Sequence, residues 1–302
     1  MTPTHISIST LPAPSTRPFH VFLEDVEAQI ERRLTNLHAH LPAAASLRRI
    51  AAGKKLRTRM VAHLADARLP SFDRRSAVAA CAATELVHSA SLCHDDIIDE
   101  ADERRGAPTV WRQLGVPGAI LVGDLLLVDS FGALARAGHV EAVADFVDTL
   151  RKVAGAEMDQ ELRHRGACGD LQRWREVCEG KTGVLFAFPA RWACPADRPL
   201  AHALERCARS IGTAYQMHDD LLDIHGDAEA VGKTLGQDRA RGKHTIPAAP
   251  GTERAVATAA IEGTIREALA SLEAWPRAQQ AMERFVARDL RACLRTTGGA
   301  PR

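Results

Sequence analysis

Two short acidic motifs carry the chemistry that this sequence can perform. LCHDDIID occupies 92–99 and QMHDDLLD occupies 216–223. Asp95 and Asp99 stand four residues apart, as do Asp219 and Asp223, so on a helix each pair shares one face with its carboxylates a turn apart. Like charges at that spacing weaken the helix that carries them. A solvated acidic face, or a first turn favoured by the helix dipole, is the competing reading, weak for one such motif and weaker for two. Two motifs, flanked by Ile97-Ile98 and Leu221-Leu222, point instead to buried helices whose carboxylates need a compensating cation. The ligands are oxygens, with no Cys or His pair at zinc spacing, which favours Mg²⁺ held jointly by the carboxylates of these motifs and a phosphate-bearing substrate. His94 and His218 lie off the carboxylate stripe and read as supporting or packing residues.

An anion bound through Mg²⁺ also draws basic side chains to its remaining oxygens. GKKLR at 53–57 puts Lys54 and Arg57 three apart, on one face of an expected helix. Arg104 and Arg105 directly follow the first motif, Lys181-Thr182 falls in a helical stretch, and Lys233 and Lys243 each follow a glycine after the second motif. Each residue alone reads as a surface charge; their distribution around the two motifs reads as a diphosphate site. No GxxxxGK[ST] follows a strand, so nucleotide phosphate transfer has little support.

The elements that must position these residues are helices. Apolar residues recur at three- and four-residue spacing through segments rich in Ala, Leu, Arg and Glu. Helices are expected at 19–40, 44–69, 73–100, 115–137, 141–165, 170–193, 197–225, 253–273 and 276–295, with Asp73 as an N-cap and no clear strand. Residues 1–18, rich in Thr, Ser and Pro, read as a mobile tail ahead of one domain over 19–302. The chain has 302 residues and a net charge of +1, so no whole-molecule field draws it to nucleic acid or an anionic membrane. Its seven cysteines are scattered, with no CxxC pair, which suits a reducing cytoplasm. No apolar run approaches the ~20 residues of a membrane span, so none is expected.

With these motifs the sequence resembles the trans-type isoprenyl diphosphate synthases, the polyprenyl synthetase family. The resemblance runs through GKKLR (53–57), ELVHSASLCHDDIIDEADERRGAPTVW (85–111), AILVGDLLL (119–127), EGKTGVLFA (179–187) and YQMHDDLLDIHGDAEAVGKTLGQDRARGKHTIP (215–247). It implies an all-α, single-domain isoprenoid synthase fold with helices around a central active-site cavity, assembled as a homodimer. It also implies roles. Asp95, Asp99 and Asp219 are similar to direct ligands of three Mg²⁺ ions, with Asp96, Asp220 and Asp223 supporting them or binding through water. Arg104, Lys181, Thr182, Gln216, Lys233 and Lys243 resemble the surroundings of the allylic diphosphate, and Lys54, Arg57, His88 and Arg105 those of isopentenyl diphosphate. The sequence departs from the family at Ala52 (usually Gly), Thr58 (Pro), Trp111 (His) and Gly183 (Ala). After Pro247 only 55 residues remain, so a helix of the family pattern looks shortened or missing.

The implied reaction is ionisation of an allylic diphosphate, with Asp95, Asp99, Asp219, Arg104, Lys181 and Lys243 stabilising the departing pyrophosphate, followed by attack of the isopentenyl double bond. A class I terpene cyclase, or a non-catalytic subunit that regulates a synthase, is the competing reading. Ala90 and Ser91, five and four residues before Asp95, are small where short-chain members carry aromatic residues, so a product of at least geranylgeranyl length is expected. Phe131, Phe146, Phe186 or Phe188 could supply a floor from a neighbouring helix.

Overall fold

The computed structural model describes residues 16–38, 53–104, 106–163, 171–225 and 254–295. They form one all-α domain, as the periodicity predicts, with helices α1 Thr16–His38, α2 Leu56–Asp66, α3 Arg74–Ile98, α4 Val110–Arg136, α5 Val140–Met158, α6 Leu171–Cys178, α7 Val184–Arg191, α8 Arg198–His225, α9 Arg254–Ala270, α10 Pro276–Phe285 and α11 Arg291–Arg295. Most of the expected tail, and the part of the second expected helix before residue 53, lie outside the described residues; α1 already begins at Thr16, within the expected tail.

α1 shows how the pattern becomes packing. Phe19, Phe22, Val26, Ile30 and Leu34 recur at three- and four-residue steps and are all buried, against α2 and α3. α3 is the central helix. Asp73 caps it as expected, its Oδ1 accepting from the backbone N–H groups of Arg75 (3.0 Å) and Ser76 (3.3 Å). Its Ala-rich body, Ala77 through Ala83, is almost wholly buried and lets α4 approach closely. At Gly123 of α4 a Cβ would lie 2.2 Å from Nε2 of His94, so the imidazole packs over bare backbone.

Three features depart from the sequence expectation. A two-strand hairpin, β1 Glu103–Arg104 and antiparallel β2 Ala107–Pro108, stands between α3 and α4, turning near Gly106 at φ 69°. α4 begins at Val110 and is broken at Gly115 (φ 72°, ψ 171°), after which Pro117 suits the first turn of the resumed helix. Five-residue π-turns at Asp159–Arg163, Glu179–Gly183 and Val286–Leu290 interrupt three expected continuous helices. By length and composition alone, α3 and α4 are long and apolar enough to cross a membrane, a test that core helices also pass. For α3 the reason is its place in the core, with 83% of the apolar window buried, whereas only 39% of that in α4 is.

Candidate functional site

Both acidic motifs lie at the C-terminal ends of their helices. α3 ends at Ile98 with Asp99 as its C-cap, whose N–H donates to the Asp95 carbonyl at 2.7 Å, and α8 runs two residues past Asp223. The helix dipole is negative there, so it adds to the repulsion among the carboxylates and raises the demand for a cation. This is the reverse of a first turn stabilised by its dipole.

Within each motif the second aspartate turns inward. Asp96 is 3% exposed, and its Oδ1 accepts from Arg104 Nε at 2.8 Å and Nη2 at 2.7 Å. The hairpin that returns Arg104 to α3 makes this pairing, so Arg104, expected at the diphosphate, is engaged by a carboxylate. Asp220 is likewise buried. Its Oδ2 accepts from the Trp174 indole at 2.7 Å and lies 3.5 Å from Cys178 Sγ, while Oδ1 accepts from Gln216 Nε2 at 2.8 Å. Burial pushes the Asp220 carboxyl up to about 6, against the pull of the Trp174 and Gln216 bonds. Asp95, Asp99 and Asp219 remain half-buried. Asp223 lies on α8, but its side chain falls outside the described residues.

The two motifs meet at Lys181. The π-turn Glu179–Gly183 carries its ammonium 2.8 Å from Glu157 Oε1 of α5, in the field of Asp95 and of Asp220. Burial opposes its charge, yet Glu157, Asp95 and Asp220 hold it above the usual lysine range. Thr182 Oγ1 donates to Gln216 Oε1 at 2.6 Å, continuing through Gln216 to Asp220. Thr182 and Gln216 thus support the second motif from within.

Lys54 and Arg57 do not share a helix face. Lys55 has φ 47° and ψ 42°, so α2 starts only at Leu56 and Lys54 precedes it, exposed. Arg57 points inward, its guanidinium 5.3 Å from the Phe186 ring centroid; burial lowers its basicity and Glu85 partly restores it. His88 is half-buried on α3, two turns before Asp95. Arg105, Lys233 and Lys243 lie outside the described residues.

Three departures from the family pattern have local accounts. Thr58 Oγ1 donates to Oε1 of buried Glu85 at 2.8 Å. Trp111 Nε1 donates to the Ala101 carbonyl at 2.8 Å, fixing the segment after the first motif. At Gly183 a Cβ would lie 2.6 Å from Thr213 Oγ1 and 2.9 Å from the Arg209 carbonyl, so α8 occupies the space of an alanine methyl. His94 fits its packing reading, with Nε2 3.3 Å from the Ile120 carbonyl. His218 lines a cavity of about 340 Å³ with Thr258, Ile261 and Arg291.

Trp174, Cys178, Glu157 and Glu85 were not singled out in the sequence, where Trp174 and Cys178 are indistinguishable from core residues of an amphipathic helix. Among the described residues no three His, Cys, Asp or Glu side chains converge to hold a metal ion by themselves. Carboxylate oxygens crowded at two negative helix ends nevertheless fit a hard divalent cation that takes its other ligands from phosphate and water.

Similar proteins agree with this architecture. The chain is 36% identical over 214 residues to the short chain isoprenyl diphosphate synthase of Methanothermobacter thermautotrophicus, covering 68% of this chain and 65% of that protein. It is 31% identical over 198 residues to the octaprenyl diphosphate synthase of Haemophilus influenzae, covering 65% and 60%. The chain thus spans somewhat under two-thirds of the length of these relatives. The polyprenyl synthase of Caulobacter crescentus, solved in complex with calcium and isoprenyl diphosphate, superposes with a TM-score of 0.64 at 25% identity, over 92% of this chain and 93% of that one. Residues 41–282 match the polyprenyl synthetase family, and the chain belongs to that family.

Proposed function

We propose that this chain is a Mg²⁺-dependent trans-prenyltransferase that joins isopentenyl diphosphate head-to-tail to an allylic diphosphate, with geranylgeranyl diphosphate as the product. The observation that carries this reading is Lys181, whose ammonium stands in the field of Asp95 from one motif and Asp220 from the other. Two acidic helix ends and a half-buried cation between them suit a highly charged leaving group. Mg²⁺ would be held by Asp95, Asp99 and Asp219 and would supply charge neutralisation to the diphosphate; the similar Caulobacter protein was solved with calcium, also a divalent cation, and isoprenyl diphosphate. Lys181 adds a fixed positive charge on that side, Arg104 orients Asp96, and the Thr182–Gln216 chain with Trp174 orients Asp220. Arg57, near Phe186 and Glu85, and His88 would hold the second diphosphate substrate. The small buried side chains of α3, with Phe186 and Phe188, exclude water from the reacting carbon.

The retention of both acidic motifs together with Lys54, Arg57 and His88 favours chain elongation over cyclisation. Product length rests on small Ala90 and Ser91, since the similar proteins range from short-chain to octaprenyl synthases. Homodimerisation is supported by a stripe of exposed apolar residues along α4, Ile120, Leu121, Leu125 and Val128, of which Leu121 is 63% and Val128 66% exposed. The six described cysteines are free thiols, five of them buried, which supports a reducing, cytoplasmic setting. The test is incubation of the purified protein with isopentenyl diphosphate, each short allylic diphosphate and Mg²⁺, followed by product identification. Release of a cyclic hydrocarbon from a single allylic diphosphate, or no turnover with any pair, would overturn the reading.

A further inference from the structure

Buried charge outside the acidic motifs is concentrated where the C-terminal segment meets α2. Asp289, 7% exposed, sits on the π-turn Val286–Leu290. Its Oδ2 lies 2.6 Å from Nε2 of His63, which is 1% exposed, and its Oδ1 accepts from Nε of Arg59. These bonds hold its carboxyl below the usual range although burial acts the other way. Arg59 and His63 are one turn apart on α2 and also pack on Phe19 of α1.

The same segment reaches the residues just before α2. Cys293 of α11 lies in the field of Lys54, which pulls its thiol down against the burial that raises it, and Lys55 is held by Glu27 of α1 at 2.8 Å. Lys55 has left-handed backbone geometry, which a lysine keeps only where its surroundings enforce it. The arm that carries Lys54 and Arg57 is therefore strained at Lys55, tied to α1 through Glu27 and, one turn into α2, to the C-terminal segment through Arg59. A π-turn already presents Lys181 and Thr182 at the acidic motifs; the one at 286–290 presents Asp289 to Arg59 and His63 of α2, just beyond this arm.

We propose that Asp289 is a positioning residue for isopentenyl diphosphate: through Arg59 and His63 it fixes α2, and so sets the placement of Lys54 and Arg57, making the C-terminal segment part of that substrate's site. The inference rests on the assignment of Lys54 and Arg57 to isopentenyl diphosphate made above.

The test uses the full chain with Asp289→Asn and Asp289→Glu, and with Arg59→Gln because Arg59 is 38% exposed in its side chain and its replacement threatens the fold less. Steady-state kinetics give the KM for each diphosphate, and titration calorimetry gives the Kd of isopentenyl diphosphate alone. Asp289→Asn and Arg59→Gln are expected to raise KM and Kd for isopentenyl diphosphate about fivefold or more, with the allylic KM moving less than about twofold and Asp289→Glu recovering most of the loss. Arg57→Ala should split the two KM values in the same direction. Equal rises for both substrates, or a lowered unfolding midpoint with both KM values unchanged, would reduce Asp289 to a structural brace and overturn the proposal. If the wild type binds isopentenyl diphosphate but condenses nothing, the proposed reaction fails while the calorimetric comparison still decides the role of Asp289. If the wild type does not bind it at all, this inference fails as well.

Discussion

The indole N–H of Trp174 donates to Oδ2 of Asp220 at 2.7 Å, across 46 residues of sequence, and both partners are buried. Burial pushes Asp220 up to about 6 and the indole pulls it back. A carboxyl raised above its unfolded value of about 3.9 favours the folded state below that value and loses this contribution as pH rises through about 6. Trp174→Phe removes a donor that favours the ionised form, so its cost should be small at pH 4.5 and grow to about 1.5–3 kcal/mol above pH 7. Denaturant unfolding of the metal-free protein at both pH values checks this. A cost that does not change with pH would show that the indole bond does not support the charge on Asp220.

Asp95→Ala and Asp219→Ala each remove a half-buried carboxylate at a negative helix end. Turnover should fall about a hundredfold or more, while helical content stays unchanged. Circular dichroism and product formation measured on the same samples separate the two effects. Near-normal turnover in either variant contradicts the metal assignment.

Gly183→Ala should lower the unfolding free energy by about 1–3 kcal/mol, because the added methyl meets Thr213 Oγ1 at 2.6 Å and the Arg209 carbonyl at 2.9 Å. Adding Thr213→Ala should recover only part of the loss, since the carbonyl belongs to the α8 backbone and cannot move aside. Complete recovery in the double variant would mean that the hydroxyl alone excludes a side chain there.

Ala90 is 3% exposed on α3, and Thr84, Cys81 and Ala80 continue a buried run of small residues towards the helix start. Phe131, Phe146 and Phe188 form a contiguous aromatic cluster on α4, α5 and α7, with ring centroids 5.5 and 4.8 Å apart. Ala90→Phe should shorten the product by at least one isoprene unit in a chromatographic assay, with an unfolding curve confirming an intact fold. An unchanged product length would move the chain-length floor to the aromatic cluster.

The helices were legible because their signal is local. Apolar spacing in α1 and the Asp73 cap of α3 depend on neighbours within one or two turns, and the two acidic motifs are contiguous runs of sequence. Only the tertiary structure decided which partner each aspartate meets. Asp95 and Asp96 are adjacent and chemically identical in sequence, yet Asp95 acts on Lys181 while Asp96 is buried against Arg104, because a hairpin between α3 and α4 returns that arginine. The left-handed Lys55 separates Lys54 from Arg57, and periodicity cannot reveal it, since helix propensity does not register a dihedral enforced by packing. Trp174 looked like core until α6 packed on α8 and its N–H met Asp220. Bonds between residues far apart in sequence form only where folded helices cross, so the family resemblance lay in the motifs and the assignment of partners lay in the packing.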